Sequence, residues 1–161
     1  MFVDTTYETK LKRRIPGDVW LSVEPPAGSH FRLREFANAD GIAIVHPALL
    51  YALERLREAL GEALGEEILI RITSGTRTQA DQVRLAARLG WADEGGLVAR
   101  DSKHLPRYGG IAADLYAVSR SGHPVPQKVL AEHARRFFDY VKGDYADGHV
   151  HCDMRGASRW T

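Results

Sequence analysis

Between His46 and Gly65 the chain reads "HPALLYALERLREALGEALG", and its leucines recur at helical spacing. Leu49, Leu50, Leu53, Leu56, Leu60 and Leu64 make one apolar face, with Glu54, Arg55, Arg57 and Glu58 on the other side. Pro47 suits a first helical position, where its missing N–H is not needed, and Gly65 suits the C-terminal cap. Such a helix is stable only against a partner. The next segment, "EILIRITSG", supplies one, because Ile68, Ile70 and Ile72 alternate with Leu69 and Arg71 as in a strand, expected to be central in its sheet.

The same reading carries on to the C-terminus. Thr78 is a candidate N-cap for a helix closed by Gly90, with Val83, Leu85, Ala86 and Leu89 inward. Residues 91–110 are polar and glycine-rich and read as a long loop, of the sort that is functional or mobile. A second strand, "GIAADLYAV", starts at Gly110. A third helix is predicted over "PQKVLAEHARRFFDYV", with Val129, Leu130, Ala134, Phe137, Phe138 and Val141 inward. The turn "KGDYADG" leads into a last strand, "HVHCDMR". Residues 1–30 are irregular, with Pro/Gly turns around a short strand at Val19–Val23. The order helix, strand, helix, strand, helix, strand, with a short final connection, predicts one α+β domain over residues 1–161. Its small antiparallel sheet is packed by helices.

Composition narrows what this domain does. At 161 residues the chain is long enough for a real core. With 22 basic and 21 acidic side chains the formal net charge is +1, so nothing draws it to nucleic acid or an anionic membrane. No apolar run approaches the ~20 residues of a membrane span, so no membrane insertion is expected. The start, "MFVDTTYETKLKRR", lacks the apolar core of a secretory signal. A single cysteine, Cys152, excludes an intrachain disulfide and a cysteine-rich zinc site.

The chemistry sits on the last two predicted strands. Side chains alternate faces along a strand, so His149, His151 and Asp153 share one face while Val150, Cys152 and Met154 share the other. The apolar set belongs to the core, which makes Cys152 a small buried hydrophobe. On the preceding strand Ile111, Ala113, Leu115 and Ala117 point one way and Ala112, Asp114 and Tyr116 the other. Side by side, the two strands bring Asp114 near His151, and His104, on the loop before, can fold over them. Two imidazoles and a carboxylate are the composition of a catalytic zinc site with a fourth position open to water. The bland alternative is a polar strand face that serves solubility alone.

"SGTRT", "SKHLPRYGGIAADLY" and "HVHCDMRG" occur here in that order. Together they resemble the zinc D-alanyl-D-alanine carboxypeptidase and endolysin family, whose fold is shared with the Hedgehog signalling domain. That family carries S-G-x-R-T, then S-x-H followed by G-x-A-x-D, then H-x-D near the C-terminus. "HFRLREFANADG" and "HPALLYALERLREAL" are similar to its N-terminal half, so the resemblance spans roughly residues 30–160.

The resemblance implies a zinc-dependent peptidase acting on an amide bond in peptidoglycan peptide stems, as a DD-carboxypeptidase or an endopeptidase. It implies His104, Asp114 and His151 as ligands of one Zn2+. Arg77 would hold a substrate carboxylate or carbonyl, and Ser102 would orient the loop. For the general base, some members place an acid three residues before the last ligand histidine; here that position is Gly148. The candidates are His149, preferred because imidazole titrates near neutral pH, and Asp147. Asp153 anchors the site, through Arg155 or a ligand histidine. Two departures stand out. Nine residues separate His104 from Asp114, where the common form has six, and "QADQ" follows "SGTRT" where P-x-x-N is frequent. The alternative is a non-catalytic zinc-containing binding module, or a phage structural module, of the same fold. The missing leader segment fits a phage-type enzyme that is cytoplasmic until released, or virion-associated. His30 and His46 read as capping or packing groups, His123 as a turn residue and His133 as a helix residue at the core edge. Trp20, Trp91 and Trp160 are candidates for core packing or a glycan groove.

Overall fold

The structure, a computed structural model, describes residues 7–8, 14–15, 22–88 and 102–157. Two short strands, β1 (Tyr7–Glu8) and β2 (Arg14–Ile15), pair with each other. The main body follows as α1 (Pro47–Leu64), β3 (Ile68–Ser74), α2 (Gln79–Arg88), β4 (Ala112–Ser119), α3 (Gln127–Ala134), β5 (Tyr140–Lys142) and β6 (Val150–Asp153). The four main strands form one antiparallel sheet in the order β3-β4-β6-β5. This is a small α+β fold.

Helix α1 forms where its leucines predict. The His46 ring accepts a hydrogen bond from the Ala48 N–H at 3.0 Å and caps the N-terminus, and Gly65 closes the other end in a left-handed conformation. Leu49, Leu53, Leu56 and Leu60 are fully buried against the sheet, in one core with Ile68, Leu115, Val150 and Cys152. Each buried leucine contributes about 1.5–3 kcal/mol, enough to fix the sheet's apolar face on α1. Leu64 is the exception and is exposed.

Three expectations are corrected. Strand β3 lies at the sheet edge, not its centre; alternation reveals which face is buried, not lateral position, and Leu69 on the outward face is 46% exposed. The third helix stops at Ala134, and Tyr140–Lys142 becomes an edge strand paired with β6. Phe137 and Phe138 still reach the core, because their spacing from Leu130 and Ala134 fits a turn as well as a helix. Helix α2 buries Gln82 and Ala86 while Val83 is 59% exposed, because α2 forms a wall of a polar cleft rather than packing on the core. Thr78 caps it as expected: its hydroxyl accepts from the Asp81 N–H, and Asp81 accepts from the Thr78 N–H in return. Of the predicted strand at Val19–Val23, residues 22 and 23 lie in a turn and the rest falls outside the described residues, as do Leu89, Gly90, most of the 91–110 loop and the three tryptophans.

Candidate metal centre

Strands β4 and β6 are paired so that Asp114 stands directly across from His151, with Ala113 across from Cys152. One register thus sends a carboxylate and an imidazole to one face and two small apolar side chains to the core. His104 arrives from the loop ahead of a 3-10 turn at Pro106–Tyr108. That loop is stitched in place. The Arg77 N–H donates to the His104 carbonyl at 3.0 Å, and the Ser102 hydroxyl accepts from the His104 N–H at 3.3 Å.

The three groups meet in a triangle. His104 Nε2 lies 3.1 Å from Asp114 Oδ1 and 3.1 Å from His151 Nδ1, and His151 Nδ1 lies 3.0 Å from Asp114 Oδ1. All three residues are buried. The outer partners of the two rings fix what the inner atoms are. His104 Nδ1 is 2.6 Å from the Gly75 carbonyl oxygen, which only accepts, so the proton of the neutral ring is on Nδ1. His151 Nε2 is 2.8 Å from Asp153 Oδ2, so its proton is on Nε2. Two bare ring nitrogens and a carboxylate oxygen therefore converge within 3.1 Å. Three lone pairs at that separation repel unless a cation lies among them, and donors sharing a tetrahedral ion stand about 3.3 Å apart. The residues present fit a divalent metal.

The supporting shell is as specific as the triangle. Gly75 has no Cβ for a reason: one built there would lie 2.7 Å from Phe36 Cα and 2.8 Å from the Phe36 carbonyl oxygen. That close approach sets the carbonyl that holds His104. Asp153 is fully buried and takes Arg155 in a two-point contact, Nε to Oδ1 at 2.9 Å and an outer guanidinium nitrogen to Oδ2 at 2.8 Å. Burial alone would raise the Asp153 carboxyl, but the bonds from Arg155 and His151 outweigh it and hold it below the ordinary range. Asp114 is likewise opposed by burial yet driven well down by His104, His151 and Arg77. For His151, burial favours the neutral ring, but its bonds to Asp114 and Asp153 prevail and raise it; His104 is lowered by burial.

The other expected residues line the same cleft, which has a volume of ≈ 1220 Å³. Arg77 donates to Asp114 Oδ2 at 2.9 Å and to Gln82 Oε1 at 3.1 Å. It is therefore not the surface ion pair that a turn position allows, but a largely buried group gripping the second oxygen of the Asp114 carboxylate. Its Nε–H is buried and has no partner among the described residues. His149 Nδ1 is bonded to Asp147 Oδ1, leaving Nε2 bare and 3.9 Å from Asp114 Oδ2. Asp147 thus orients His149. Gly148 between them has φ 88°, a left-handed conformation that strains any other residue, so the turn that presents His149 disfavours an acid there.

Several residues of the site escaped sequence reasoning. The Gly75 carbonyl, Gln82 and Gln127 carry no local signal; Gln127 Nε2 donates to the carbonyls of Tyr145 and His149 at 3.0 and 2.9 Å and clamps their turn. Tyr145, stacked on His149 with ring centroids 3.9 Å apart, could have been noticed as an aromatic in the turn feeding the last strand. The remaining histidines stand elsewhere. His30 pairs with Glu54, His123 with Ser121 in a turn, and His133 Nδ1 with the Val129 carbonyl of its own helix. Cys152 is free and buried in the core. No helix among the described residues is long and apolar enough to cross a membrane. No protein-family model matches the chain, and no curated protein matches it.

Proposed function

We propose that this chain is a zinc peptidase that hydrolyses an amide bond in peptidoglycan peptide stems, with His104, Asp114 and His151 as the metal ligands. The observation that supports it most is the convergence of two bare ring nitrogens and a carboxylate oxygen beside an open cleft. Nitrogen and oxygen donors in that number suit zinc with one position left for water. The peptide-stem assignment rests on the ordered motifs and their resemblance to the carboxypeptidase and endolysin family.

When bound, zinc supplies a Lewis acid that polarises a carbonyl and makes water acidic near neutral pH. The chain's own residues do the rest. His149 accepts the proton of the attacking water on Nε2 and returns it to the departing amine. Asp147 keeps the His149 Nδ1 protonated and stabilises the imidazolium while it exists. Arg77 steadies Asp114 and turns its remaining N–H groups toward a substrate carboxylate or carbonyl. His104 and His151 are held in one tautomer by Gly75 and Asp153, so their donor atoms need no rearrangement.

Incubation with peptidoglycan sacculi, with and without a chelator, tests this by mass spectrometry of the released fragments. Chelator-sensitive release supports it, and the new termini name the bond. A folded, zinc-loaded sample that releases nothing across several wall chemotypes overturns it. Gly148, where some relatives of the resembling family carry an acid, favours the competing reading of a non-catalytic zinc-containing module. His149→Ala separates the two: loss of turnover with zinc retained supports the peptidase.

A further inference from the structure

Tyr145 lines the cleft beside the His–Asp–His triangle. Its backbone is fixed twice, since its carbonyl accepts from the Gly148 N–H at 3.0 Å and from Gln127 Nε2 at 3.0 Å. Its ring is fixed by the stack on His149, with an interplanar angle of 19°. Its hydroxyl, in contrast, makes no hydrogen bond among the described residues. Nearby Tyr116 differs, for its hydroxyl donates to the Asp147 carbonyl at 2.8 Å and is committed to holding the turn. A half-buried phenol clamped at both backbone and ring, with its O–H left over, is positioned for something outside the protein.

We propose that the Tyr145 hydroxyl donates a hydrogen bond to the scissile carbonyl oxygen as that oxygen takes up negative charge. This rests on the peptidase reading above. In the hydrolysis, the water oxygen bonds to the carbonyl carbon and the π pair of the carbonyl moves onto its oxygen. The pair then returns as the C–N bond breaks, and the amine takes the proton held by His149. Amide and water give carboxylic acid and amine. Tyr145 keeps its own proton throughout; its O–H shortens its contact only while the oxygen is charged. Burial and the Asp114 charge favour the protonated phenol, so the donor is present at working pH. Arg77, whose guanidinium is partly committed to Asp114 and Gln82, keeps its remaining N–H groups for a substrate carboxylate or carbonyl, and Tyr145 adds a second donor.

Tyr145→Phe keeps the ring on His149 and removes only the donor. Loss of one such donor typically lowers kcat by about 10²–10³-fold. We expect a loss of that size with KM nearly unchanged and with zinc content the same as in the wild type. Phosphinates isosteric with D-alanyl-D-alanine and L-alanyl-D-glutamate supply the second readout, because their tetrahedral oxygens mimic the charged oxygen. By calorimetry, the phosphinate that binds wild type should bind Tyr145→Phe about 10²-fold more weakly. Equal phosphinate affinity and equal kcat in the two proteins overturn the role of Tyr145 and leave the peptidase reading intact. A loss in Tyr140→Phe instead of Tyr145→Phe overturns it too. If folded, zinc-loaded wild type neither binds a phosphinate nor cleaves sacculi, the peptidase reading falls and this proposal falls with it.

Discussion

The two faces of β6 are almost equally hidden from solvent and chemically opposite. Val150 and Cys152 are 0% exposed on the core side; His151 and Asp153 are 8% and 0% exposed on the other. The apolar face is stabilised by contact alone, and an apolar side chain of similar volume and shape serves. The polar face is stable only while every member has its partner: His151 with Asp153 and Asp114, Asp153 with Arg155, Asp114 with Arg77. Burial of polar groups is conditional in a way that burial of apolar groups is not. One strand therefore shows both ways of building an interior, and they should fail differently.

The largest effect should come from His151→Ala. It removes a proposed metal donor and leaves Asp114 and Asp153 as buried carboxylates without their shared ring, which typically costs about 3–5 kcal/mol. Urea unfolding and metal analysis after dialysis should show both the lower stability and the loss of bound zinc. Met154→Ala, on the apolar side, should cost about 2–5 kcal/mol yet retain zinc at wild-type stoichiometry. Loss of zinc there would erase the distinction between the faces.

Asp153→Asn should act more gently. It keeps the shape and weakens the hold on the His151 Nε2–H and on Arg155, so zinc affinity should fall about 10–100-fold, as read by competition with a chromogenic chelator. Unchanged affinity would show that Asp153 only balances the Arg155 charge.

Proton dependence sharpens the contrast, because the groups that carry charge are on the polar face, while burial keeps the Cys152 thiol protonated. Asp114 and Asp153 lie below their ordinary value of 3.8, so they stabilise the fold above about pH 4 and lose that contribution as pH falls through their depressed values. His151 is raised above its ordinary 6.5, so in metal-free protein it stabilises the fold below that pH and loses the contribution as pH rises through its raised value. His104, lowered by burial, works against His151 as pH falls. Zinc competes with the His151 proton, so zinc affinity should decline with falling pH from above 6.5 onward. Titrations of zinc into chelator-treated protein between pH 6 and 8 would check this; a flat affinity would argue against His151 as a ligand. The smallest effect is expected from Cys152→Ala: about 1 kcal/mol of stability, with zinc content and turnover unchanged.

The faces of β4 and β6 were legible in the sequence because a period of two is a local signal. The apposition of Asp114 and His151 followed from it once the two strands were taken as neighbours. Helix α1 was legible for the same reason at a period of 3.6. What escaped was tertiary. The edge position of β3 depends on what pairs with it, not on its own residues. The outward turn of Val83 depends on a cleft that α2 borders. The stop at Ala134 depends on β6 offering an edge for Tyr140–Lys142. In the site, ring and carboxylate candidates were visible as residue types, whereas the Gly75 carbonyl and the Gln127 clamp belong to distant segments brought together only by folding.

The triangle at 104, 114 and 151 also ties together separate stretches of the last third of the chain. His104 and His151 are 47 positions apart. A cation held among these donors is a reversible cross-link between remote segments, in a protein whose lone cysteine can form no internal disulfide. Closing a loop of that size removes disorder from the unfolded chain worth about 4 kcal/mol in the chain-entropy model. The same atoms proposed to activate water would thereby act as a clasp, and stripping the ion would loosen the segment between residues 104 and 151 as well as silence the cleft.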